Sequence, residues 1–324
     1  MVNNDLLSRY SKHLGEIEEA LEMVIDSQVA FIKDIGNYAL AGPGKRLRPL
    51  FFVLSCELCN YQGGDIYRFS TIFEYIHAAS LLHDDVLDNA EIRRNKPSVN
   101  NLWGNNAAVL GGDFLCSKAS SLFVDSGNFR FMKKITDMTM QMTEGQVLEL
   151  IHTNDWNVGR DEYLEIITAK TAALISAACA CGAIISGADM EKVRALENFG
   201  RNMGIAFQLM DDLLDYTSSV DVVGKPVCKD LREGKITLPL IYTLEKLEKS
   251  ERERFQSMFK DRKIPEEDYE DLIDMVRSKG ALDEVRDEAE YYTNEAAGCL
   301  SQFFDSPVKR HLLELNRFII EREY

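Results

Sequence analysis

Two copies of the motif DDxxD are the residues of this sequence best suited to chemistry. They occupy residues 84–88 and 211–215, each at the end of a long apolar segment. Residues four apart lie on one face of a helix, so the first and last carboxylates of each copy point the same way. Like charges at this spacing repel. A hard cation such as Mg²⁺ relieves the repulsion and takes its other ligands from phosphate oxygens and water.

Basic residues follow each aspartate motif. Arg93 and Arg94 come after the first copy, and Lys225 and Lys235 come after the second. Cations beside metal-bound carboxylates are typical of a site in which a diphosphate lies between the two kinds of charge. One motif alone is equally well interpreted as a solvated acidic helix end. Two copies with basic companions favour a diphosphate site.

A third basic cluster, residues 44–49 (GKRLRP), precedes an apolar helix. Pro49 suits the first position of that helix, where backbone N–H groups help to hold an anion. Taken alone, such a cluster is more often an ordinary basic loop. His77 raises a similar choice, because a lone histidine on an apolar helix is usually a satisfied core residue. It lies seven residues before Asp84, on nearly the same helix face, which favours a place in the site.

Helical spacing of apolar residues predicts an all-α protein. The segments with this spacing are residues 6–34, 48–60, 66–89, 129–151, 161–186, 190–216, 238–249 and 265–304. The turn signals that separate some of them are residues 41–44, 63–64, 104–106, 187 and 224–226. No segment is typical of a linker, so we expect residues 1–324 to form a single domain of about ten or more helices.

Composition narrows the functional classes. The 324 residues include 53 acidic and 37 basic side chains, and the net charge of −16 argues against nucleic-acid binding. The sequence contains no uninterrupted run of about 18 apolar residues, so we expect no stable membrane anchor. Residues 1–10 lack the apolar core of a signal peptide. Seven cysteines fit a reducing, cytoplasmic location. The CxxC of Cys56 and Cys59 is compatible with metal or redox chemistry, but without a second pair it favours buried structural thiols.

At these motifs the chain resembles the trans-isoprenyl (polyprenyl) diphosphate synthase family, of the medium- and long-chain all-trans type, over most of its length. The stretches that carry the resemblance are GKRLRP (44–49), YIHAASLLHDDVLD (75–88) with the arginines after it, GGDFL (111–115), EGQ (144–146), KTA (170–172), FQLMDDLLDY (207–216) and GKPVCKDLREGKITLP (224–239). The resemblance implies the type I isoprenoid synthase fold, a helical bundle around a central cavity, and a homodimer.

The resemblance also implies a reaction. Family members condense isopentenyl diphosphate with an allylic diphosphate. The allylic C–O bond breaks, the double bond of isopentenyl diphosphate attacks the cation, and a proton then leaves. Mg²⁺ is the implied cofactor, with three ions on the allylic diphosphate.

The resemblance implies a role for each matching residue. The implied metal residues are Asp84, Asp88 and Asp211, supported by Asp85, Asp212 and Asp215. The implied contacts of the allylic diphosphate are Arg93, Lys170, Lys225 and Lys235. The implied contacts of isopentenyl diphosphate are Lys45, Arg48, His77 and Arg94. The implied stabilisers of the allylic cation, through their dipoles, are Thr171 and Gln208.

Two positions depart from the family pattern. Pro43 and Cys228 stand where such proteins usually have glycine. Neither change removes an implied ligand, but both put in doubt how the loops close over the diphosphate.

Small residues before the first motif bear on product length. The growing tail runs down the helix below Asp84. In the family, bulky aromatic residues four and five positions before this aspartate stop chain growth while the product is still short. Here those positions are Ser80 and Ala79, which leave the tunnel open. The deeper candidates for the tunnel floor are Ile76, Phe73, Phe114 and Phe123. Each helical turn of about 5.4 Å matches roughly one isoprene unit, and we expect a product of about six to nine units that Ala79→Phe would shorten.

Several alternatives stay open. Small residues also serve close helix packing, which would suit a short-chain farnesyl or geranylgeranyl diphosphate synthase. A cyclase or head-to-head condensing enzyme uses related aspartate motifs but does not need GKRLRP and His77. A noncatalytic subunit of a heteromeric synthase typically loses aspartates, and both motifs here are intact. A purely structural helical protein would leave the charged residues unexplained.

Overall fold

The computed structural model describes residues 8–24, 27–41, 44–217, 228–258 and 266–321. The helices in these ranges are α1 (Ser11–Val24), α2 (Ala30–Leu40), α3 (Leu47–Leu58), α4 (Ile66–Leu87), α5 (Val99–Trp103), α6 (Asn105–Asp125), α7 (Phe129–Ile151), α8 (Arg160–Ile167), α9 (Ala173–Ile185), α10 (Met190–Thr217), α11 (Lys229–Arg232), α12 (Leu238–Glu245), α13 (Lys249–Met258), α14 (Glu266–Ser278), α15 (Ala281–Cys299) and α16 (Pro307–Glu321). A π-helical turn, Thr168–Ala172, joins α8 to α9. The prediction of an all-α protein is confirmed.

The chain forms two compact units. Unit 1 comprises the described residues of Met1–Thr139, Ala177–Glu197 and Phe303–Lys309, and unit 2 those of Met140–Ser176, Asn198–Gln302 and Arg310–Tyr324. Unit 1 carries the first aspartate motif, the basic cluster and His77. Unit 2 carries the second motif and Lys170.

The first aspartate motif is positioned by α4, the central helix of unit 1. This helix packs against α1, α3 and α6. Residues 69–76 of this helix are buried. The Phe73 ring lies 5.3 Å from that of Phe52, which in turn lies 6.1 Å from that of Phe131. An aromatic cluster therefore fixes α4 about three turns before Asp84.

Glycines permit the close contact of α6 with its neighbours. A Cβ on Gly111 would lie 2.5 Å from Cγ2 of Ile35, and one on Gly112 would lie 2.3 Å from Nε2 of His83. Both distances are shorter than van der Waals contact, so a larger residue at either position would require the Ile35 or His83 side chain to shift. The GGDFL stretch is thus the surface on which α6 meets α2 and α4.

Gly182 of α9 gives a sharp test of the packing in unit 1. A Cβ there would lie 2.6 Å from Cβ of Ser55 and 2.8 Å from the carbonyl oxygen of Phe52. Because part of the obstacle is the backbone of α3, Gly182→Ala should lower the free energy of unfolding by about 1–3 kcal/mol, measured by urea titration. Gly298→Ala is the matched control, since nothing lies within 4 Å of its added Cβ. Equal effects of the two changes would contradict the close approach.

Unit 2 is built around α12, which packs against α8, α14 and α15. Leu240 and Ala289 are fully buried there. Glu288 of α15 accepts hydrogen bonds from Arg160 at the start of α8 and from Tyr242 of α12. One carboxylate therefore ties three helices of this unit together.

Among the residues that the structure describes, two helical stretches, Asn105–Asp125 and Arg160–Ile185, are long and apolar enough to cross a membrane by length and composition alone. In Arg160–Ile185, 83% of the apolar window is buried, as in the core helix of a globular protein. Residues 172–184 are all buried, so this Ala-rich stretch lies in a core. In Asn105–Asp125 only 39% of the window is buried.

The prediction of one helical segment over residues 6–34 is wrong. Helix α1 ends at Val24, α2 begins at Ala30, and residues 27–29 are not helical. The N–H of Val29 donates to Oγ of Ser27 at 3.1 Å, and Val29 has an extended backbone. Local hydrogen bonding by a serine side chain competes with the helix, and apolar periodicity does not contain that signal.

The segment predicted over residues 265–304 also holds two helices rather than one. Gly280 separates α14 from α15 and has a positive φ of 72°. Glycine adopts this conformation without steric penalty. It was therefore a readable turn signal, although the apolar spacing continued across it.

Candidate active site

The first aspartate motif lies at the end of α4. Asp88 is the residue after the last helical position, and its N–H donates to the carbonyl of Asp84 at 2.8 Å. Asp84 and Asp88 lie one turn apart, as predicted, and both are partly exposed. Asp85 is buried, with 3% of its surface exposed. The motif thus separates two accessible carboxylates from an internal one.

The internal carboxylate is held by an arginine. Nε of Arg93 donates to Oδ1 of Asp85 at 2.7 Å, and Nη2 approaches the same oxygen at 2.5 Å. The family pattern implies Asp85 as a supporting metal residue and Arg93 as a diphosphate contact, but in this structure each engages the other. Arg93 stays 32% exposed, so one side of its guanidinium can still meet an anion.

The two arginines after the motif lie on a β-hairpin that sequence reasoning missed. Ile92–Arg93 pairs antiparallel with Lys96–Pro97. The turn residues Arg94 and Asn95 both have positive φ, 51° and 61°, as in a type I′ turn. Such turns usually carry Asn-Gly, so the sequence held only a weak hairpin signal. Tyr38 donates to a carbonyl of the second strand at 2.7 Å and anchors the hairpin to α2.

Arg46, in the middle of the basic cluster, is a structural residue. Its buried guanidinium pairs with Glu74 at 2.6 Å and with Glu18 at 2.7 Å. Its backbone is left-handed, with φ 45°, just before α3 begins. These contacts fix the turn that carries Lys45 and leads into Arg48 of α3.

Pro49 is the third residue of α3, whereas the sequence analysis predicted that it would be the first. The helix begins at Leu47, and its first backbone hydrogen bond runs from the N–H of Leu50 to the carbonyl of Arg46 at 3.1 Å. Proline in the first turn removes no helical hydrogen bond, so the position remains compatible with it.

His77 lies among arginines. Its pKa is lowered well below the ordinary 6.5, first by loss of solvation and then by the positive charges of Arg48, Arg94, Arg93 and Arg46. The imidazole is therefore neutral at pH 7, within a strongly positive field. Such a field attracts a multiply charged anion. The structure thus brings together three of the four residues predicted to contact isopentenyl diphosphate, His77, Arg48 and Arg94, and places Lys45, which is exposed, three residues before Arg48.

A pocket adjoins this cluster. It is open to solvent, with about 520 Å³ of empty space when the solvent-open part is included, and it combines apolar side chains of α4 with charged groups of the hairpin. The lining residues include Ala78, Leu81, Leu82, Asp85, Arg93 and Arg94. An apolar wall beside guanidinium groups suits a short hydrocarbon that carries an anionic group.

The residues predicted to set product length differ in exposure. Ala79 and Phe73 are fully buried, and Ile76 is 4% exposed. Ser80 is partly exposed, one turn before Asp84, and its hydroxyl donates to the carbonyl of His77 at 2.9 Å. Of the two small residues, Ser80 is therefore the one open to a ligand. Phe114 and Phe123 are partly exposed on α6.

The second aspartate motif, on α10, repeats the division seen in the first. Asp211 is partly exposed, whereas Asp212 is 2% exposed. Asp212 accepts hydrogen bonds from Oη of Tyr163 at 2.5 Å and from Nε2 of Gln208 at 2.7 Å. Burial raises the pKa of Asp212 well above its ordinary range, and the nearby Asp230 adds to the shift.

Asp215, the last residue of the second motif, caps a helix. Its two carboxylate oxygens accept the backbone N–H groups of Lys229 and Asp230, each at 3.2 Å, at the start of α11. Cys228 precedes them with a positive φ of 58°, the backbone conformation that glycine favours. The chain therefore keeps the path that the usual glycine would give. Pro43 and Lys225 lie outside the described residues.

Lys170 and Thr171 lie on the π-helical turn, which two glycines allow to pack closely. A Cβ on Gly145, in the EGQ stretch, would lie 2.6 Å from the backbone nitrogen of Lys170, and one on Gly204 would lie 2.6 Å from Cα of Ala172. Nζ of Lys170 lies 2.5 Å from Oε2 of Glu149. Wide π turns are common at functional sites, and here the turn presents two neighbouring site residues.

Lys235 pairs with Glu233 at 2.7 Å. The residues that sequence reasoning missed and that contact the predicted set include Glu149, Tyr163, Asp230 and Glu233. Burial raises the pKa of Asp230 to about 7, with a further contribution from the Asp215 carboxylate. Tyr163 lies seven residues before Lys170, and Glu149 lies three residues after Gln146 of EGQ. Helical spacing from a known motif was therefore the only signal for either one.

The donor set fits Mg²⁺ held jointly with a substrate. Among the described residues, no three histidine, cysteine, aspartate or glutamate side chains converge as a ready metal cage. Mg²⁺ usually takes only one or two carboxylates and completes its shell with phosphate oxygens and water. The partly exposed Asp84, Asp88 and Asp211 are carboxylates of that kind.

Cys56 and Cys59 have the properties of structural thiols. Both are free, and Cys56 is fully buried. Burial raises the pKa of Cys59 to about 11 and that of Cys56 well above its ordinary value. Because the thiolate is the reactive and metal-binding form, the CxxC is poorly suited to redox or metal chemistry.

Comparison with known proteins gives the family. A family model described as polyprenyl synthetase matches residues 29–276. The octaprenyl diphosphate synthase of Escherichia coli is 32% identical over 316 residues, 97% of each chain. A short chain isoprenyl diphosphate synthase of Methanothermobacter thermautotrophicus is 34% identical over 326 residues, 99% of this chain and 98% of the relative. A solved polyprenyl synthase of Caulobacter crescentus, complexed with calcium and isoprenyl diphosphate, matches with a TM-score of 0.92 at 34% identity, covering 99% of this chain and 98% of that one.

The helical fold is that of the isoprenyl diphosphate synthases. The chain belongs to the polyprenyl synthetase family and is a prenyltransferase.

Proposed function

We propose that the enzyme condenses isopentenyl diphosphate with an allylic diphosphate, 1′-4 and all-trans, to make a medium- or long-chain polyprenyl diphosphate. The observation that carries the proposal is the cluster of Arg48, Arg94 and neutral His77 beside a partly apolar pocket. Enzymes that only ionise an allylic diphosphate need no such second anion site. The cluster therefore favours a two-substrate condensation over a cyclase.

The cluster suits the substrate that is not ionised. Lys45, Arg48, His77 and Arg94 bind the diphosphate of isopentenyl diphosphate in this proposal. The apolar wall formed by Ala78 and Leu81 then receives the hydrocarbon end. Hydrogen-bond donors bind the diphosphate here without a metal, since arginine forks match phosphate oxygens directly.

The allylic substrate is bound through divalent ions in this proposal. Asp84, Asp88 and Asp211 supply carboxylates for divalent ions, three Mg²⁺ by family expectation, and Asp85, Asp212 and Asp215 support them. Bound ions neutralise the charge that develops on the departing diphosphate. The cations that contact the same diphosphate are Arg93, Lys170, Lys225 and Lys235.

Thr171 and Gln208 stabilise the allylic cation through their oxygen dipoles in this proposal. The Thr171 hydroxyl donates to Oε1 of Gln208 at 3.0 Å, so each side chain helps to orient the other. Dipoles that are fixed before ionisation require no reorganisation when the positive charge appears.

The proposal is tested by incorporation of labelled isopentenyl diphosphate. Purified protein is incubated with Mg²⁺ and, in turn, each allylic primer of two to four isoprene units, and the products are resolved by length. Label in a product longer than the primer supports the proposal. No incorporation with any primer by folded protein would contradict it. The Escherichia coli relative serves as a positive control.

A short-chain product of about three to four isoprene units is the second candidate. The buried Phe73, packed on Phe52 and Phe131, lies about three turns before Asp84 and would close a tunnel that follows α4 after about three isoprene units. A wild-type product of six to nine units excludes this candidate.

Ser80→Phe should shorten the product by at least about one isoprene unit, because its partly exposed position lies one turn before Asp84. Ala79→Phe is a weaker test, since Ala79 is fully buried and overpacking would destabilise the fold by about 1–3 kcal/mol. Product length is read by chromatography after dephosphorylation. Ser117→Phe, an exposed change on α6, is the control and should leave length unaltered. An unchanged product from Ser80→Phe would contradict the assignment of the tunnel.

We also propose a cytoplasmic homodimer in which both units form one catalytic domain. One family model spans residues of both units, which supports a single domain. Exposed apolar residues on or next to α6, including Leu110 at 64% and Phe129 at 77%, suit a subunit interface. All seven cysteines are free, which suits a reducing compartment.

A further inference from the structure

Four side chains of unit 2 form a continuous hydrogen-bonded row. Oη of Tyr163 donates to Oδ2 of Asp212 at 2.5 Å, Nε2 of Gln208 donates to Oδ1 of Asp212 at 2.7 Å, and Oγ1 of Thr171 donates to Oε1 of Gln208 at 3.0 Å. Tyr163 and Asp212 are buried, and Gln208 and Thr171 are partly exposed. The row therefore begins in the core and ends at the two residues proposed to face the allylic cation.

The row fixes the direction of one amide. Each oxygen of Asp212 already accepts a hydrogen bond from a donor of the same unit. If the Gln208 amide turned over, the observed bonds from Nε2 to Oδ1 of Asp212 and from Oγ1 of Thr171 to Oε1 would both be lost, and the amide oxygen would leave the Thr171 side. The observed orientation keeps the amide oxygen on the Thr171 side. A carbonyl oxygen there stabilises a nearby cation, whereas an N–H group would oppose it.

The first motif shows the same pattern of burial and hydrogen bonding. Asp85, the second residue of that motif, is also buried and is also engaged by a donor of its own unit, Arg93. In each motif the first carboxylate is accessible and the second is internal. The second aspartate of both motifs thus supports a neighbouring site residue.

We infer that Tyr163 and Asp212 are positioning residues that hold Gln208, and through it Thr171, with their oxygen atoms toward the allylic cation. This inference rests on the proposed roles of Gln208 and Thr171. It gives Asp212 a supporting part within the protein instead of a place among the metal ligands.

A wrongly oriented Gln208 has a chemical consequence that can be measured. When the cation is poorly held, water competes with isopentenyl diphosphate. The allylic C–O bond to diphosphate breaks, a new C–O bond forms to water, and the water proton passes to the released diphosphate. The products are a prenyl alcohol and diphosphate. A smaller fraction of folded enzyme would lower alcohol and elongated product equally, so their ratio reports on positioning.

The test is Tyr163→Phe, with Tyr242→Phe as matched control. Tyr242 also donates a phenol hydrogen bond to a core carboxylate, that of Glu288, which has no part in the proposed chemistry. Tyr163→Phe is expected to lower kcat about tenfold, to leave both KM values within about twofold, and to raise the alcohol-to-elongation ratio about threefold or more. Tyr242→Phe is expected to leave kcat and the ratio unchanged, even if both variants lose similar thermal stability.

Other outcomes decide against the inference in distinct ways. Tyr163→Phe with wild-type kcat, or with reduced kcat and an unchanged ratio, would overturn the positioning role. Gln208→Ala with wild-type kcat would instead remove the proposed role of Gln208 itself. Should Tyr163→Phe fail to fold, Asp212→Asn provides the second reading. Asparagine removes the carboxylate charge but keeps an acceptor toward Gln208. If Asp212 is a positioning residue, the Mg²⁺ concentration for half-maximal rate should stay within about twofold. A large rise in that concentration would make Asp212 a metal ligand and overturn the inference.

Discussion

Asp84→Ala is expected to lower kcat by about a thousandfold or more while the protein stays folded. Asp84 is one of two partly exposed carboxylates in the first motif, and its loss removes a ligand of the ions that neutralise the departing diphosphate. The rate is measured as incorporation of labelled isopentenyl diphosphate at saturating Mg²⁺. The fold is checked by circular dichroism and thermal unfolding. Because Asp85, the remaining aspartate of the motif, is buried, Asp88 alone cannot replace the lost ligand.

Asp125→Ala is the control for this change. Asp125 is an exposed aspartate that pairs only at the surface with Arg68 of α4. Surface ion pairs of this kind contribute about 0–1 kcal/mol, so activity should remain near wild type. An Asp84→Ala rate within about tenfold of wild type would contradict a metal-assisted ionisation at this motif.

Arg94→Asn is expected to raise the KM for isopentenyl diphosphate about a hundredfold and to leave the KM for the allylic substrate within about twofold. Arg94 lies at the tip of the hairpin and contributes to the positive field around His77. Asparagine is the chosen replacement because it tolerates the positive φ of this turn position. The change therefore removes the charge with little strain on the backbone. Steady-state kinetics with each substrate varied in turn gives both KM values.

Arg68→Ala is the matched control for this second change. It removes an arginine from α4 whose partner is the surface carboxylate of Asp125. Both KM values should stay at the wild-type level. If Arg94→Asn raises the two KM values equally, the arginine cluster does not distinguish the substrates, and the assignment of the second anion site is wrong.

Much of the site was predictable because its signal is local. Residues four apart share a helix face, so the pairing of Asp84 with Asp88 followed directly from the spacing. The glycines of the GGDFL and EGQ stretches were recognised as part of the family pattern. Their role in close packing between helices could not be predicted from the sequence. The segment of residues 161–186 was predictable as helical from its apolar spacing, and the burial of residues 172–184 agrees with their small, mostly apolar side chains.

The remainder depends on contacts between residues far apart in the sequence. Tyr163 and Asp212 are separated by 49 positions, and no local pattern pairs them. Within the GKRLRP cluster, three basic residues look equivalent in sequence. Only the buried carboxylate of Glu74 assigns Arg46 to the fold. The hairpin was missed for a different reason, since an Arg-Asn turn lacks the glycine that usually marks it.

The division within each DDxxD copy was also beyond the sequence. Spacing predicts which carboxylates share a helix face, but it does not say which neighbours will supply a hydrogen-bond donor. Arg93 donates a hydrogen bond to the carboxylate of Asp85, and backbone N–H groups at the start of α11 donate to the carboxylate of Asp215. The accessible carboxylates are therefore fewer than the six that the motifs contain.

Calorimetric titration of each substrate in the presence and absence of metal tests the two-site account most directly. Isopentenyl diphosphate should bind in EDTA, because arginine and lysine side chains hold it, and Arg94→Asn should abolish that binding. A non-ionising allylic thiodiphosphate should bind only with Mg²⁺, and Asp84→Ala should abolish that binding. If isopentenyl diphosphate requires metal as strictly as the allylic analogue does, or binds Arg94→Asn as tightly as wild type, the account is contradicted.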